Sequence, residues 1–554
     1  MTSADLIITN GRVLTMANAS PLAEAVAVAG NSIMAVGSRP EIAAYNGKST
    51  QIVDAQGGTV MPGFIEGHVH IFMGAGELDN LDLSGVHGFE ALKTAVLKFA
   101  KERPQQKLLY ANQISYSVLN DRILPTRHDL DRIIAGRPFA MMCYDHHTVF
   151  ANTKALEAAG ILRGGSVPLG SEIVMGSDGM ATGELREPGA FRHILALTPT
   201  GGRDTLGFTE AAEPNPAPTA TQRKIDREVL LRGLKYCAQF GITSLHNMDG
   251  NFYTLELLQE IDEAGDFTCR CQSPFHFKNY FDISRLEDAS EMKRSYRSER
   301  VSSGRVKLFM DGVLESWTAL TLDEYPDKPG HFGDPNFTGE QFNAVAIDCD
   351  RRGLQIDVHA IANGAVRRTL DGYEAAIKAN GRRDSRHRIE HIEVIHPNDL
   401  PRLKELDVIA SIQPTHCPGP VFPMEPTMTR IAAKDLPYAY AWQRIRNAGA
   451  RIAFNSDWPV APLDPMISFH AALTRKPLKP GLPENRQSLQ DVLRGYTVDA
   501  AYAEFMENRK GRLKPGMLAD IVVLSGDIEA TEPEAIKSLR AAVTVCDGKV
   551  THEL

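Results

Sequence analysis

Two histidines one residue apart, His68 and His70, close the apolar run Val60-Met-Pro-Gly-Phe-Ile-Glu-Gly-His-Val-His70. On a β-strand the side chains at i and i+2 share a face, so two imidazoles at this spacing can grip one metal ion together. Taken alone, such a pair fits plain packing on a strand face equally well. Three later segments also end in residues that metals favour: Leu354-Gln-Ile-Asp-Val-His359, His387-Arg-Ile-Glu-His391 and Arg451-Ile-Ala-Phe-Asn-Ser-Asp457. Between these and the first pair, Gly304-Arg-Val-Lys-Leu-Phe-Met-Asp-Gly312 carries Lys307 inside an otherwise apolar strand, where an isolated lysine would also fit a snorkelling surface residue. Histidines, a lysine and an aspartate recurring at strand ends read as one site at the C-terminal face of a parallel barrel.

A barrel of this class needs eight strands, each followed by a helix. Candidate strands open at Phe64, Phe139, Ile242, Arg270, Arg305, Leu354, Arg388, Val408 and Arg451, which is one too many. Phe139 to Tyr144 is therefore assigned to an insertion between the first and second barrel strands. The insertion ends in the proline-rich loop Glu210 to Thr219, after which Lys224 to Ala238 carries apolar residues at helical spacing and stops near Gly241. Strand and helix then alternate up to a helix over Leu489 to Phe505. Ahead of the barrel, the stretches from Leu6, Asn10, Glu24 and Asn31 read as short strands, with Asn10-Gly11 and Gly30-Asn31 as hairpin signals. Asp520-Ile-Val-Val-Leu and Ala542 to Val550 repeat the style at the far end.

With 554 residues the chain exceeds one ordinary core, so two or three structural units are expected. Apolar content of 43%, charged content of 23% and a net charge of −9 without a basic cluster describe a soluble enzyme and argue against a nucleic-acid partner. Seven scattered cysteines do not pair into a disulfide framework, and Cys269 and Cys271 read as small buried hydrophobes before soft-metal ligands. The N-terminal residues lack the basic segment and long apolar core of a signal peptide, and no apolar run is long enough to span a bilayer. The expectation is a cytoplasmic protein without membrane attachment, acting on a small molecule.

The ordered motifs resemble the metal-dependent amidohydrolase superfamily, in the branch that contains N-substituted formamide deformylases. The resemblance runs over nearly the whole chain: Met61-Pro-Gly-Phe with His68 and His70; Val306-Lys-Leu-Phe-Met-Asp-Gly312; His359; Glu390-His391; Gln413-Pro-Thr415; Asn455-Ser-Asp-Trp-Pro-Val460; and Gly511-Arg-Leu-Lys-Pro-Gly-Met-Leu-Ala-Asp520. Asn455 departs from the pattern, since the branch often has glycine there. The resemblance implies an α/β fold: a (β/α)8 TIM-like barrel over 61–73 and 224–505, a small β-sandwich built from both termini (1–60 and 506–554), and a large inserted subdomain, 74–223, covering the active site.

It also implies a ligand set. His68, His70 and Asp457 would hold the more buried of one or two divalent metals, zinc by the mixture of imidazole and carboxylate donors. His359 and His391 would hold a second, with Lys307 bridging the two. An ammonium cannot ligate a cation, so Lys307 must be neutral and carboxylated by CO2, which burial beside metal favours. Asp457 would also be the general acid/base, taking a proton from metal-activated water and passing it to a leaving amine. His147 matches a family segment of the insertion that reaches over the site. His246, His276 and His416 follow strands as pocket or supporting groups, and Trp317, Trp458, Phe72 and Met310 are candidates for an apolar substrate wall.

The expected reaction is hydrolysis of a C–N bond in an amide, N-substituted formamide or carbamate. The same site on this barrel also suits an ester, a cyclic amide or a carboxylate to be removed, and a non-catalytic metal-binding regulator is a third reading, opposed by the complete ligand set. A homo-oligomer is expected by analogy with the superfamily.

Overall fold

The computed structural model describes residues 3–17, 23–119, 124–144, 146–168, 171–419 and 421–554. It divides into two compact units, Met1–Ile71 with Leu234–Leu554, and Phe72–Gly233.

In the first unit a parallel series runs through β1 (Phe64–Val69), β2 (Ile242–Asn247), β3 (Arg270–Gln272, resuming at Phe275–His276), β4 (Val301–Ser302, resuming at Arg305–Phe309), β5 (Gln355–Ala360), β6 (Arg388–His391), β7 (Ile409–Ile412) and β8 (Ile452–Phe454). Each neighbour pairs with the next in parallel register, and a parallel bridge from Val69 to Trp458 ties the start of the series to the segment after its last strand. Two interruptions have local causes. Pro274 has no N–H to give to the ladder within β3, and Gly304, at φ 145°, turns the backbone within β4. The helices Phe252–Glu263, Leu286–Ser295, Gly339–Arg351, Asn363–Asn380, Leu400–Glu405 and Trp442–Asn447 lie between successive strands from β2 onward. Their starts are written locally: Asn251 accepts from the Thr254 N–H, and Thr338 forms a capping box with Gln341. The stretch expected as one helix over 489–505 is two, Leu489–Gly495 and Val498–Ala503, because Thr497 leaves helical geometry at φ −131°, ψ −85°.

Strand alternation separates two environments. Val306, Leu308, Ile356, Val358 and Ile389 are buried apolar residues, while Arg305, Lys307, Asp357, Arg388 and Glu390 on the alternate positions are buried and charged. Arg305, Asp357, Arg388 and Glu390 pair with one another, whereas Lys307 stands outside these pairs. Arg305 Nη1 donates to Asp357 Oδ2 at 2.7 Å, and Arg388 donates to Glu390 Oε1 at 2.9 Å and to the Gly67 carbonyl at 2.7 Å. A buried ionic network of this kind is tolerable only when its members are paired, and it fixes the side chains it contains.

The chain termini form two further sheets. One has the order Ser32–Gly37, Ala25–Ala29, Leu6–Thr9, Gln51–Asp54; the other joins Arg12–Val13, Thr59–Pro62, Ile521–Leu524, Ala541–Cys546 and Lys549–Glu553. Leu6, Ile8, Val26, Val28, Ile521 and Val545 belong to one apolar cluster, so residues over 500 positions apart share a core. Gly30-Asn31 closes the expected hairpin, with Ala29 opposite Ser32. Asn10-Gly11 does not: Asn10 adopts the left-handed conformation (φ 57°), but Leu6–Thr9 pairs with Ala25–Ala29 and Gln51–Asp54, and the turn carries the chain into the other sheet.

The second unit holds a six-stranded mixed sheet in the order Glu172–Met175, Ala181–Arg186, Thr148–Ala151, Phe139–Cys143, Leu109–Ile114, Leu81–Asp82. Alternate residues of its central strands feed separate cores: Tyr110, Ala140 and Met142 pack with Phe191 and Ile194, whereas Leu109, Phe139 and Met141 pack with Leu92 and Leu130. Both faces are covered, which explains the unbroken apolar run from Phe139 to Cys143.

Candidate metal centre

His68 lies in β1, His70 directly follows it, and Asp457 follows β8. The two strand ends are held together by backbone and side chain: Asp457 N–H donates to the His68 carbonyl at 3.0 Å, His70 N–H to the Trp458 carbonyl at 2.8 Å, and Ser456 N–H to Glu66 Oε1 at 2.6 Å. This brings Asp457 Oδ1 to 3.3 Å from His68 Nε2 and 3.2 Å from His70 Nε2. Asp457 Oδ2 faces two more imidazoles, His416 Nε2 at 3.8 Å and His391 Nδ1 at 4.0 Å. The donor atoms of His68, His70 and Asp457 lie within 4.8 Å of one another, as do those of His391, His416 and Asp457. Asp457 and His391 take left-handed backbone conformations, φ 64° and 76°, which non-glycine residues adopt only when the surroundings enforce them.

The outer nitrogen of each of three rings is fixed. His68 Nδ1–H donates to Glu390 Oε2 at 2.7 Å, His70 Nδ1–H to Asp249 Oδ1 at 2.5 Å, and His391 Nδ1–H to Gln413 Oε1 at 2.9 Å. Anchoring Nδ1 sets the tautomer and leaves Nε2 as the lone-pair donor, the arrangement in which imidazoles ligate metal. Asp249 and Gln413 had no assigned role from sequence, and Glu390 was visible only as the neighbour of His391. The signal that could have found Asp249 is a carboxylate two residues beyond the end of β2.

The electrostatics suit a cation. Burial disfavours the imidazolium of His70, but Asp249 and Asp457 outweigh it and carry the ring up to about 9. Burial likewise works against the Asp457 carboxylate, yet His68 and His70 hold it below its usual range. Burial keeps His68 and His391 toward the neutral imidazole and lowers Lys307 toward the free amine. Lys307 Nζ, His391 Nε2 and Asp457 Oδ1 are buried and make no hydrogen bond among the described residues. Unsatisfied buried donors and acceptors are costly, and His391 and Asp457, which share one donor group, fit a divalent ion.

The remaining candidates divide. His359, expected beside His391, has its ring 4.5 Å from that of His391 but falls in neither donor group; its Nε2 lies 3.0 Å from the Gly312 carbonyl oxygen, and the ring stacks on Phe309 at 4.7 Å. His416, expected as a substrate residue, takes the place beside His391 and Asp457. His246 is turned away from these donors, with Nδ1 2.8 Å from Arg388 Nη1 and Nε2 3.5 Å from Glu504, and His276 tilts against Phe309 at 5.3 Å. Trp458 is buried beside the site against Tyr236 at 5.6 Å, whereas Trp317 hydrogen-bonds Asp327 at 3.1 Å and lies under the Arg430 guanidinium. His147 belongs to the second unit, where its Nδ1–H donates to Glu187 at 3.1 Å. Asn455 hydrogen-bonds Gln413 at 2.6 Å and Ser411 at 2.9 Å, so the departure from glycine supports the Gln413 side chain that holds His391.

A parallel α/β unit with imidazoles and a carboxylate converging past its strand ends defines a class of metal-site protein, and comparison places the chain within it. The model of the amidohydrolase family matches residues 51–552, and the chain belongs to that family. It is 31% identical to the Arabidopsis thaliana Protein LONG AFTER FAR-RED 3 over 94% of this chain and 87% of that one. It is 25% identical to the N-substituted formamide deformylase of Arthrobacter pascens over 99% of this chain and 98% of that one. Among solved structures, a metal-dependent hydrolase from Pyrococcus furiosus shares the fold with a TM-score of 0.70 and 24% identity, covering 93% of this chain and 98% of that one.

Proposed function

We propose that this protein is a metal-dependent hydrolase that cleaves the C–N bond of an amide, an N-substituted formamide or a carbamate. We read the parallel series as a closed (β/α)8 barrel over 61–73 and 224–505, the terminal sheets as its flanking β-sandwich, and 74–223 as an inserted subdomain. The observation that carries the proposal is the meeting of His68, His70 and Asp457 with every outer imidazole nitrogen of the pair held by a carboxylate. Membership of the amidohydrolase family and the likeness to a formamide deformylase support the reaction class.

His68, His70 and Asp457 would hold one divalent cation, with zinc suited to the donor set, and His391 with His359 or His416 would hold a second, bridged by carboxylated Lys307. The cation supplies Lewis acidity, polarising the substrate carbonyl and making water more acidic. The chain's residues do the rest. Asp457 accepts the proton of the attacking water and returns it to the departing nitrogen, which needs a carboxylate that is ionised at rest, as the neighbouring histidines keep it. Glu390, Asp249 and Gln413 prevent the rings from rotating as charge moves. Lys307, driven toward the free amine by burial, can add CO2 and release a proton to become a carbamate. Trp458, buried beside the metal residues, would meet the substrate, as would His416 where His359 is the ligand. Seven free thiols suit a reducing, cytoplasmic setting, and no helix among the described residues is long and apolar enough to cross a membrane.

The test is turnover. Protein loaded with zinc, manganese or cobalt is offered N-substituted formamides, simple amides, carbamates, esters and lactones. Metal-dependent release of amine from members of the first three classes is expected. Turnover confined to esters and lactones, or none with any metal, overturns the proposal.

A further inference from the structure

The second unit contains a cavity of about 410 Å³ whose residues all lie within Phe72–Gly233. Its walls are apolar over much of their extent, with Met73, Met142, Phe191, Leu195, Phe208 and Val229 among them. The polar part of the lining includes the acids Glu77, Asp79, Asp204 and Glu228 and the phenol of Tyr110, with Arg103, Arg232 and His146 as its basic groups. Tyr110 is 4% exposed, and its hydroxyl makes no hydrogen bond among the described residues. A buried phenol normally finds a partner, so this one marks a place where a ligand atom belongs. Its position follows from the sheet, because Tyr110 and Met142 project from neighbouring strands into the core that Phe191 and Leu195 complete.

Glu77 and Asp204 have different partners. Thr200 Oγ1 donates to Asp204 Oδ1 at 2.6 Å, while Asp204 Oδ2 rests against the Cα of Gly76, where a methyl group would collide with it. This seats Asp204 beside the residue that precedes Glu77. His146 Nε2 lies 2.9 Å from Glu77 Oε1. Of the two arginines in the lining, Arg232 pairs with Asp79, another lining residue, at 2.8 Å, and Arg103 lies over the Phe99 ring. No basic side chain is paired with Asp204 among the described ion pairs. Burial, with Asp226 and Glu77 nearby, raises the Asp204 carboxyl to about 6, and burial, with Glu77 and Asp204, pushes the Tyr110 phenol up. Two carboxylates and one phenol oxygen in the lining of a largely apolar cavity offer acceptors for the three N–H donors of a single ammonium group.

We propose that the inserted unit carries a second small-molecule site, which binds a primary amine with an apolar chain, its ammonium group taken up by Glu77, Asp204 and Tyr110. The site shares no residue with the His68, His70 and Asp457 centre and does not depend on the reaction assigned to it. The volume suits a small ligand of this kind.

Calorimetric titration of the full-length, metal-loaded protein with n-hexylammonium, 1-hexanol and hexanoate tests the proposal. Hexylammonium should bind saturably at one equivalent per chain, with the alcohol and the carboxylate at least tenfold weaker. Tyr110→Phe removes one oxygen that the fold does not use and should weaken hexylammonium by roughly tenfold, the scale of a hydrogen bond to a charged group. Asp204→Asn should weaken it by at least as much, and Asp457→Asn should leave it unchanged. If Asp204→Asn does not fold, the isosteric Tyr110→Phe decides alone. Absence of saturable binding, hexanol or hexanoate binding as tightly as the amine, an unaltered affinity in Tyr110→Phe, or loss of binding in Asp457→Asn would each overturn the proposal.

Discussion

Glu390 and His68, 322 residues apart in the chain, meet at 2.7 Å in the interior of the parallel unit, where Arg388 also donates to Glu390. The carboxylate thus joins the buried ionic network to an imidazole of the metal centre. Asp249 holds the other imidazole, His70, at 2.5 Å. The positions of His68 and His70 are consequently set by the carboxylates beside them.

Asp249→Asn keeps the size of the side chain but removes the charge that fixes His70. Zinc affinity should fall by roughly 10- to 100-fold, as for other residues that orient a metal-bound imidazole. Competition with a chromophoric chelator reads the affinity directly, and circular dichroism should show an unchanged fold. An affinity equal to that of the wild type would mean that Asp249 does not position the ring.

Lys307→Ala should lose most activity and the second equivalent of metal, and short carboxylic acids should restore part of both by standing in for a carbamate. Activity and metal content are measured with and without added acetate or propionate. Undiminished activity in the alanine variant would remove Lys307 from the site.

Asp457→Asn should retain metal with modest loss, since the amide oxygen can still coordinate, while the rate falls by roughly 10²–10⁴-fold. A group that works mainly in the transition state should lower kcat and kcat/KM together. Substrates with good leaving groups should suffer less than poor ones. Near-normal turnover of an unactivated amide would assign the proton transfer to another residue.

The pH dependence of stability has a defined sign at Asp204. Burial raises its folded value to about 6, above the unfolded value near 3.8, so the folded state holds the proton more firmly. Its contribution is full below the unfolded value and is lost as pH rises through the folded one. Asp204→Asn should therefore gain in Tm relative to wild type between pH 4 and about pH 7, and the difference should level off above that. A difference that stays constant across this range would contradict the assignment.

What the sequence revealed, and what it did not, follows the range of the interactions involved. His68-x-His70 was legible because a period of two is local, and the recurrence of His359, His391 and Asp457 after apolar runs exposed the strand ends. Strand interruptions at Pro274 and Gly304 were likewise written in single residues. Asn10-Gly11 misled because a left-handed turn specifies only that the chain reverses, not which sheet receives it. Asp249, Glu390 and Gln413 escaped assignment because their partners are selected by register between distant strands. His416 could be named as a strand-end histidine, but only the approach of β7 to β8 sets its ring 3.8 Å from Asp457. The meeting of Glu77, Asp204 and Tyr110 has no local signature at all, since a helix, a loop and a strand contribute one residue each.

The most direct measurement of the central claim is X-ray diffraction from zinc-soaked crystals on both sides of the zinc absorption edge. The account predicts an anomalous peak bounded by Nε2 of His68, Nε2 of His70 and the carboxylate of Asp457, lost on soaking with a chelator. Zinc bound only elsewhere on the protein, with those three side chains unchanged in its presence, would contradict it.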